Sequence, residues 1–207
     1  LIEDGFLTKP IIQMIKRSYD ASGEDEELSY LDGYEKFIVN NAERNNIIKE
    51  CVSLILEQRH DAKIMILTKF LSHGENLLGI LGGNTYYIDG SDGLAERYEA
   101  IGKFTEPGVP CTLIGTRILQ TGIDITEITH FIVARGGQSV IGTIQAIGRA
   151  LRKDPTKEFV YIYDFIDPEK YLVDHSNKRK NTYKKQGHEV NFIHGNQITK
   201  RNQVLRK

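Results

Sequence analysis

Three polar residues, Gln145, Arg149 and Arg152, fall at i, i+4 and i+7 in a segment of helical period spanning residues 138–152. On a helix they form one stripe, displaced by one residue from an apolar stripe of Val140, Ile144, Ile147 and Leu151. Gly142 and Gly148 adjoin the polar stripe and leave little bulk between its polar heads. A guanidinium is always charged and offers a fork of donors that matches phosphate oxygens. The stripe therefore reads as an anion site. An amphipathic helix with ordinary surface arginines is the other reading, and spacing alone does not separate the two.

A second segment narrows the choice. Residues 114–125 read Ile-Gly-Thr-Arg-Ile-Leu-Gln-Thr-Gly-Ile-Asp-Ile and follow an apolar strand. Small and hydroxylated residues at a strand's carboxyl end, such as Thr116, can offer backbone N–H and hydroxyl donors to a phosphate. Gly122 permits a turn that other residues resist. Asp124 places a carboxylate where a ribose hydroxyl could bind; an Asx-turn is its structural alternative.

The elements that must position these residues alternate. A helix is expected from Asn40, capped by Asn40 with Glu43 three residues on, and Ile47, Ile48, Cys51, Val52 and Ile55 continue its apolar face. Strands are expected at 63–68, 85–89, 111–116, 129–134 and 158–165, with a last one at 188–193. Helices are expected at 75–81, 94–104, 140–152 and 168–186. Strands separated by helices imply right-handed crossovers and a mostly parallel sheet with helices on both faces, an α/β fold. Ligands in such sheets gather at strand carboxyl ends, so the loops after Thr68, Thr116 and Ala134 are the places to search.

Composition limits the class. The chain has 207 residues, 40% hydrophobic and 27% charged, as in a globular protein of one sizeable core. No apolar run reaches the length of a membrane span, and no signal peptide opens the sequence. The start at Leu1 marks an expected fragment. Two cysteines, Cys51 and Cys111, make no disulfide framework, so a reducing cytoplasmic or nuclear interior, not secretion, is expected. No His/Cys cluster has metal-ligand spacing. The net charge of −1 hides an asymmetry: residues 169–207 hold ten Lys/Arg against three Asp/Glu, while residues 20–35 hold seven acids and no base. The basic end is compatible with nucleic acid or with a solvated helix. The acidic stretch reads as an exposed loop.

Residues 116–125 resemble motif V of superfamily 2 helicases, with its Thr and its Gly-Ile-Asp. Residues 145–152, Gln-Ala-Ile-Gly-Arg-Ala-Leu-Arg, resemble motif VI, Gln-x-x-Gly-Arg-x-x-Arg, and residues 63–70 are similar to motif IV. The three stand in the family's order, and the resemblance covers roughly residues 36–195. Ser72-His73-Gly74 after motif IV, Gln145 at the head of motif VI, and a basic helix with Tyr171, His175, Arg179 and Tyr183 resemble phage recombination helicases of the UvsW type.

The resemblance implies the second RecA-like domain of an ATP-dependent helicase. Residues 1–35 would connect, 36–195 form the domain, and 196–207 form a basic tail. Arg149 and Arg152 would act as arginine fingers, with Gln145 near the γ-phosphate. Gly122 and Asp124 would meet the nucleotide. Thr116 and Arg117, with Thr68, Lys69, Ser72 and His73, would grip nucleic-acid phosphates. His73 has a loop-bonding alternative, and Arg135 beside Gly136-Gly137 is a further candidate contact. Arg97 is expected in a structural ion pair. ATP and Mg2+ would be bound mainly by an upstream RecA-like domain, because no Gly-x-x-x-x-Gly-Lys-Ser/Thr occurs here and Asp25-Glu26-Glu27 follows no apolar strand. The strand partner is expected to be DNA, with RNA as the alternative, and recombination, repair or replication remodelling as the setting. This chain would be inactive alone. Two rivals stand: a non-catalytic nucleic-acid-binding or regulatory RecA-like module, and another phosphate-binding α/β protein such as a nucleotide-sugar enzyme. The second leaves the paired motifs unexplained.

Overall fold

The computed structural model describes residues 7–18, 28–116, 125–137, 140–152 and 157–198. Arg117, Gly122, Asp124, the acidic triplet 25–27 and the tail beyond residue 198 lie outside the described residues.

Seven strands among the described residues form one sheet: β1 (Lys9–Lys16), β2 (Lys63–Leu67), β3 (Thr85–Ile88), β4 (Cys111–Gly115), β5 (His130–Val133), β6 (Phe159–Ile166) and β7 (Val190–His194). Their order is β3-β4-β2-β5-β6-β1-β7 and every pairing is parallel. β2, β4 and β5 are buried at every position, as expected of short apolar runs covered on both faces. On one face, α2 (Ala42–Gln58) and α3 (Leu71–Leu81) set Ile47, Val52 and Leu77 against Ile64, Ile66 and Ile132. On the other, α4 (Leu94–Thr105), α5 (Val140–Ala150) and α6 (Leu172–Lys185) set Phe104, Ile147 and Tyr183 against Met65, Leu113 and Ile162. Each such side chain contributes about 1.5–3 kcal/mol by leaving water.

Several local expectations are corrected. The helix cap is Asn41, not Asn40: its side chain accepts from the Arg44 N–H at 2.8 Å, which moves Glu43 off the capping-box position. Within the connecting segment, residues 1–19, where the sequence leaves a strand or a short helix open, contain an interior strand, Lys9–Lys16, in register with Phe159–Ile166. Pro10 is tolerated there because β7 pairs only from Ile12 onward, which leaves that side of Pro10 without a ladder partner. Part of the acidic stretch expected as loop is helix: α1 (Tyr30–Tyr34) continues into a π-turn, Glu35–Val39. Ser29 starts it by accepting from the Asp32 N–H at 3.2 Å. Tyr34, Ile38 and Val39 then bury against Leu172, with Phe37 and Phe70 packed alongside. Arg97 bonds the Gly90 carbonyl at 2.9 Å instead of a carboxylate. Cys51 and Cys111 are free and buried, and burial raises their thiols to about 12 and about 11.

Buried ion pairs tie the helices to the strand carboxyl ends. Asp167, just past β6, accepts from Arg44 Nε at 2.9 Å and from Arg17 at 3.3 Å. Arg17 also reaches Glu169 at 2.8 Å. Arg179 of α6 holds both oxygens of Asp164 at 2.8 and 2.9 Å, and the Tyr183 hydroxyl donates to the same carboxylate. Burial works to raise the Asp167 carboxyl, but Arg44 and Arg17 outweigh it and hold the group below its usual range.

Two histidines are buried neutral. His73 Nε2 faces Asn45 Oδ1 at 3.0 Å, and burial, aided by the Arg44 charge, lowers its pKa to about 3. His130 lies parallel to Tyr161 and Tyr163, and burial lowers it to about 4. Their folded pKa values lie below the unfolded value of about 6.5, so stability is complete above that value and lost as pH falls beneath it, by about 2 kcal/mol per histidine at pH 5. His175 and His188 shift in the same direction. Glu169, raised by burial, opposes the trend. The urea midpoint should therefore drop between pH 7 and pH 5, and less so in His130→Phe. A midpoint that stays level would contradict neutral burial.

Candidate functional site

The candidate residues divide between opposite edges of the sheet. α5 leaves the carboxyl end of β5 and runs back to the amino end of β6, so its last turn lies at the amino edge. Gln145 is exposed and Arg149 half-buried. Among the described residues, no hydrogen bond or ion pair engages the Arg149 guanidinium. A methyl group added at Gly148 would meet nothing within 4 Å, so the helix surface beside Arg149 is open. The i, i+4, i+7 stripe is corrected at its end: α5 stops at Ala150, and Arg152 lies beyond it in an antiparallel bridge with Leu7. The Thr8 N–H donates to the Leu151 carbonyl at 2.7 Å. Arg152 is exposed and follows Arg149 by a tight turn, its N–H bonding the Arg149 carbonyl at 3.2 Å.

The strand-gripping candidates lie at the carboxyl edge, after β2 and β4. Lys69 and Ser72 are exposed there, and Thr116 is half-buried just past β4. Thr68 and His73 are not available. Both are fully buried, and His73 spends its Nε2 on Asn45. Their expected contact with a strand is corrected to burial; for His73 the bond to Asn45 joins α3 to α2, the loop-bonding alternative.

Arg135, past β5, joins Lys69. Consecutive left-handed glycines, Gly136 and Gly137 with φ of 51° and 76°, turn the chain there; a Cβ on Gly137 would press on Tyr30 and Tyr34 at 3.2 and 3.3 Å. The Tyr34 hydroxyl donates to the Arg135 carbonyl. The Lys69 ammonium lies 4.7 Å from the Tyr34 ring centre, 4.9 Å from Phe70 and 5.5 Å from Tyr30. Burial first, then the Arg135 charge, lowers the Lys69 pKa, and burial lowers that of Arg135. Arg135 Nε is buried without a partner. Two neighbouring, partly desolvated cations without a carboxylate are unfavourable unless an anion joins them.

Sequence reading missed the aromatic wall of Tyr30 and Tyr34. The Ser29-x-x-Asp32 start and the i, i+4 tyrosines were the available signals. Among the described residues no group of His, Cys, Asp and Glu could hold a metal ion, and no helix is long and apolar enough to cross a membrane. The cavity lined by Asn84, Tyr86, Lys103, Glu106, Val109 and Cys111 lies beside Lys63, whose ammonium donates to the Glu106 and Val109 carbonyls.

The chain is 28% identical over 176 residues to the ATP-dependent DNA helicase uvsW of Enterobacteria phage T4, covering 81% of this chain and 34% of the helicase. It is 27% identical over 147 residues to the UvrABC system protein B of Oceanobacillus iheyensis, covering 66% of this chain and 21% of that protein. It therefore spans a third or less of these relatives' lengths. The crystal structure of T4 UvsW superposes with a TM-score of 0.73 at 20% identity, over 91% of this chain and 42% of that one. The C-terminal domain of the DEAD-box protein Dbp5 superposes with a TM-score of 0.63 at 14% identity, over 98% of each. These likenesses carry the RecA-like fold of helicase C-terminal domains. The model of the helicase conserved C-terminal domain matches residues 43–154, more than half of the chain, and the protein belongs to that family.

Proposed function

We propose that this chain is the second motor domain of an ATP-dependent helicase or translocase, with DNA as its strand. Arg149 and Arg152 are its arginine fingers and Lys69 and Arg135 its strand contacts. The observation that carries the reading is the Arg149 guanidinium: half-buried, without a partner among the described residues, on a helix surface kept bare by Gly148. A surface arginine of a finished domain has no need of that clearance, whereas a group completed by another domain's bound phosphate does.

ATP and Mg2+ would be held mainly by an upstream RecA-like domain, and when bound they supply the phosphoryl group and the charge that this edge meets. Arg149 would neutralise negative charge that grows on the transferred group, an effect worth about 10³–10⁵ in rate. Arg152, set by its bridge to Leu7, would stand beside it, and Gln145 would lie one helical turn away at the interface. At the other edge, Lys69 and Arg135 would take phosphates without reading bases, while Thr116 and Ser72 extend the line. A strand held at one edge and a nucleotide at the other let each closure of the cleft move the strand.

In the full-length protein, DNA should stimulate steady-state ATP hydrolysis, and Arg149→Ala should remove at least about 10³ of the turnover while nucleotide still binds. An indifferent Arg149→Ala, or no DNA- or RNA-dependent hydrolysis by the wild type, would return the chain to a non-catalytic binding module. The strand contacts have their own readout. Lys69→Ala and Arg135→Ala should each weaken DNA binding irrespective of sequence and flatten the slope of log K against log salt by about 0.7–0.9. Unchanged slopes in both variants would place the strand elsewhere.

A further inference from the structure

Lys157 lies between α5 and β6 and is only 7% exposed. Its ammonium donates to three backbone carbonyls: Thr126, Ile128 at 3.3 Å and Ala150 at 2.9 Å. An ammonium carries three donors and no acceptor, so three carbonyls replace its water shell. Burying it without them would cost several kcal/mol. The carbonyls come from two places. Ala150 ends α5, where unpaired carbonyls carry the negative end of the helix dipole. Thr126 and Ile128 belong to the segment that returns from the loop after β4 to the start of β5. One cation thus joins the end of the arginine helix to the chain just beyond Asp124.

We infer that Lys157 is a positioning residue for ATP hydrolysis: it sets the last turn of α5, and so Arg149 and Arg152, against the Thr126–Ile128 backbone that leads into β5. The inference rests on the arginine-finger reading. Arg149 precedes the clamped carbonyl by one residue and Arg152 follows it by two, so little backbone freedom separates the clamp from either guanidinium. The bridge of Leu7 to Arg152 and the bond from Thr8 to Leu151 grip the same turn from the opposite side. Lys157 holds one flank of the turn and the start of β1 the other.

The test is a double-mutant cycle in the full-length protein, with DNA-stimulated ATP hydrolysis as the readout. Lys157→Met should lower kcat roughly 10- to 100-fold, as expected of a displaced catalytic group, with KM for ATP within about twofold. A change that acts through the fingers cannot add once they are gone. With both fingers removed together as one arm of the cycle, adding Lys157→Met to Arg149→Ala with Arg152→Ala should therefore slow turnover no further. Should Lys157→Met not fold, Lys157→Gln, which keeps N–H donors on a shorter stem, carries the same cycle with a smaller loss. Losses that multiply even with both fingers removed, or Lys157 variants that fold and hydrolyse as the wild type does, overturn the positioning role and leave the fingers standing. An Arg149→Ala that hydrolyses normally overturns the finger reading itself, and this inference with it.

Discussion

A wholly parallel sheet imposes the division of labour in this domain. Parallel strands cannot be joined by tight hairpins, so each connection must carry the chain back across the full height of the sheet. Every strand then ends at one edge and every returning helix ends at the other. Residues directly after β2, β4 and β5, among them Lys69, Thr116 and Arg135, gather at the carboxyl edge, while residues at the end of a returning helix, Arg149 foremost, arrive at the amino edge. α5 alone serves both edges: it leaves beside Arg135 and delivers Arg149. Any coupling between the two edges passes along rigid elements that share this sheet.

The carboxyl edge is where like charge has to be managed. Arg17, Arg44 and Arg179 are buried there, and each meets a buried Asp or Glu. Such pairs add little net stability over apolar packing, because desolvation offsets most of the attraction. Their geometry nevertheless fixes where helices sit: Arg44 ties α2 to the end of β6 and to the Ala134 carbonyl, and Arg179 ties α6 to β6 and to the Gly137 carbonyl. The glycine turn that presents Arg135 is thus flanked by two arginines whose own charge is already neutralised. Lys69 and Arg135 are cations of that edge without an acidic partner among the described residues, packed beside tyrosines contributed by α1.

Patterns confined to one element were legible in the sequence. The strand–helix alternation, the buried runs of β2 and β4, and the apolar stripe of α5 through Ile144 and Ile147 all stand. Features set by distant partners were not. A strand was one of the two readings open for β1, but its interior place in the sheet was not legible, since its pairing partner Phe159 lies 150 residues after Lys9. Thr68 and His73 carry suitable chemistry at a suitable position, yet both are buried, His73 against Asn45, which lies far off in sequence. The helical wheel placed Arg152 on the stripe of Gln145 and Arg149, but α5 ends two residues short of it and the bridge to Leu7 claims the backbone. Lys157 had no signal at all, because three carbonyls from two separate segments define its role.

The separation of strand and nucleotide across one sheet is best tested by site-directed photo-crosslinking in the full-length protein. A photoreactive side chain is placed in turn at Ser72, exposed at the carboxyl edge, and at Gly148, open at the amino edge. Labelled DNA should attach from position 72 and labelled ATP from position 148, each with little of the other. Attachment of DNA from position 148, or of ATP from position 72, would contradict the two-edge account.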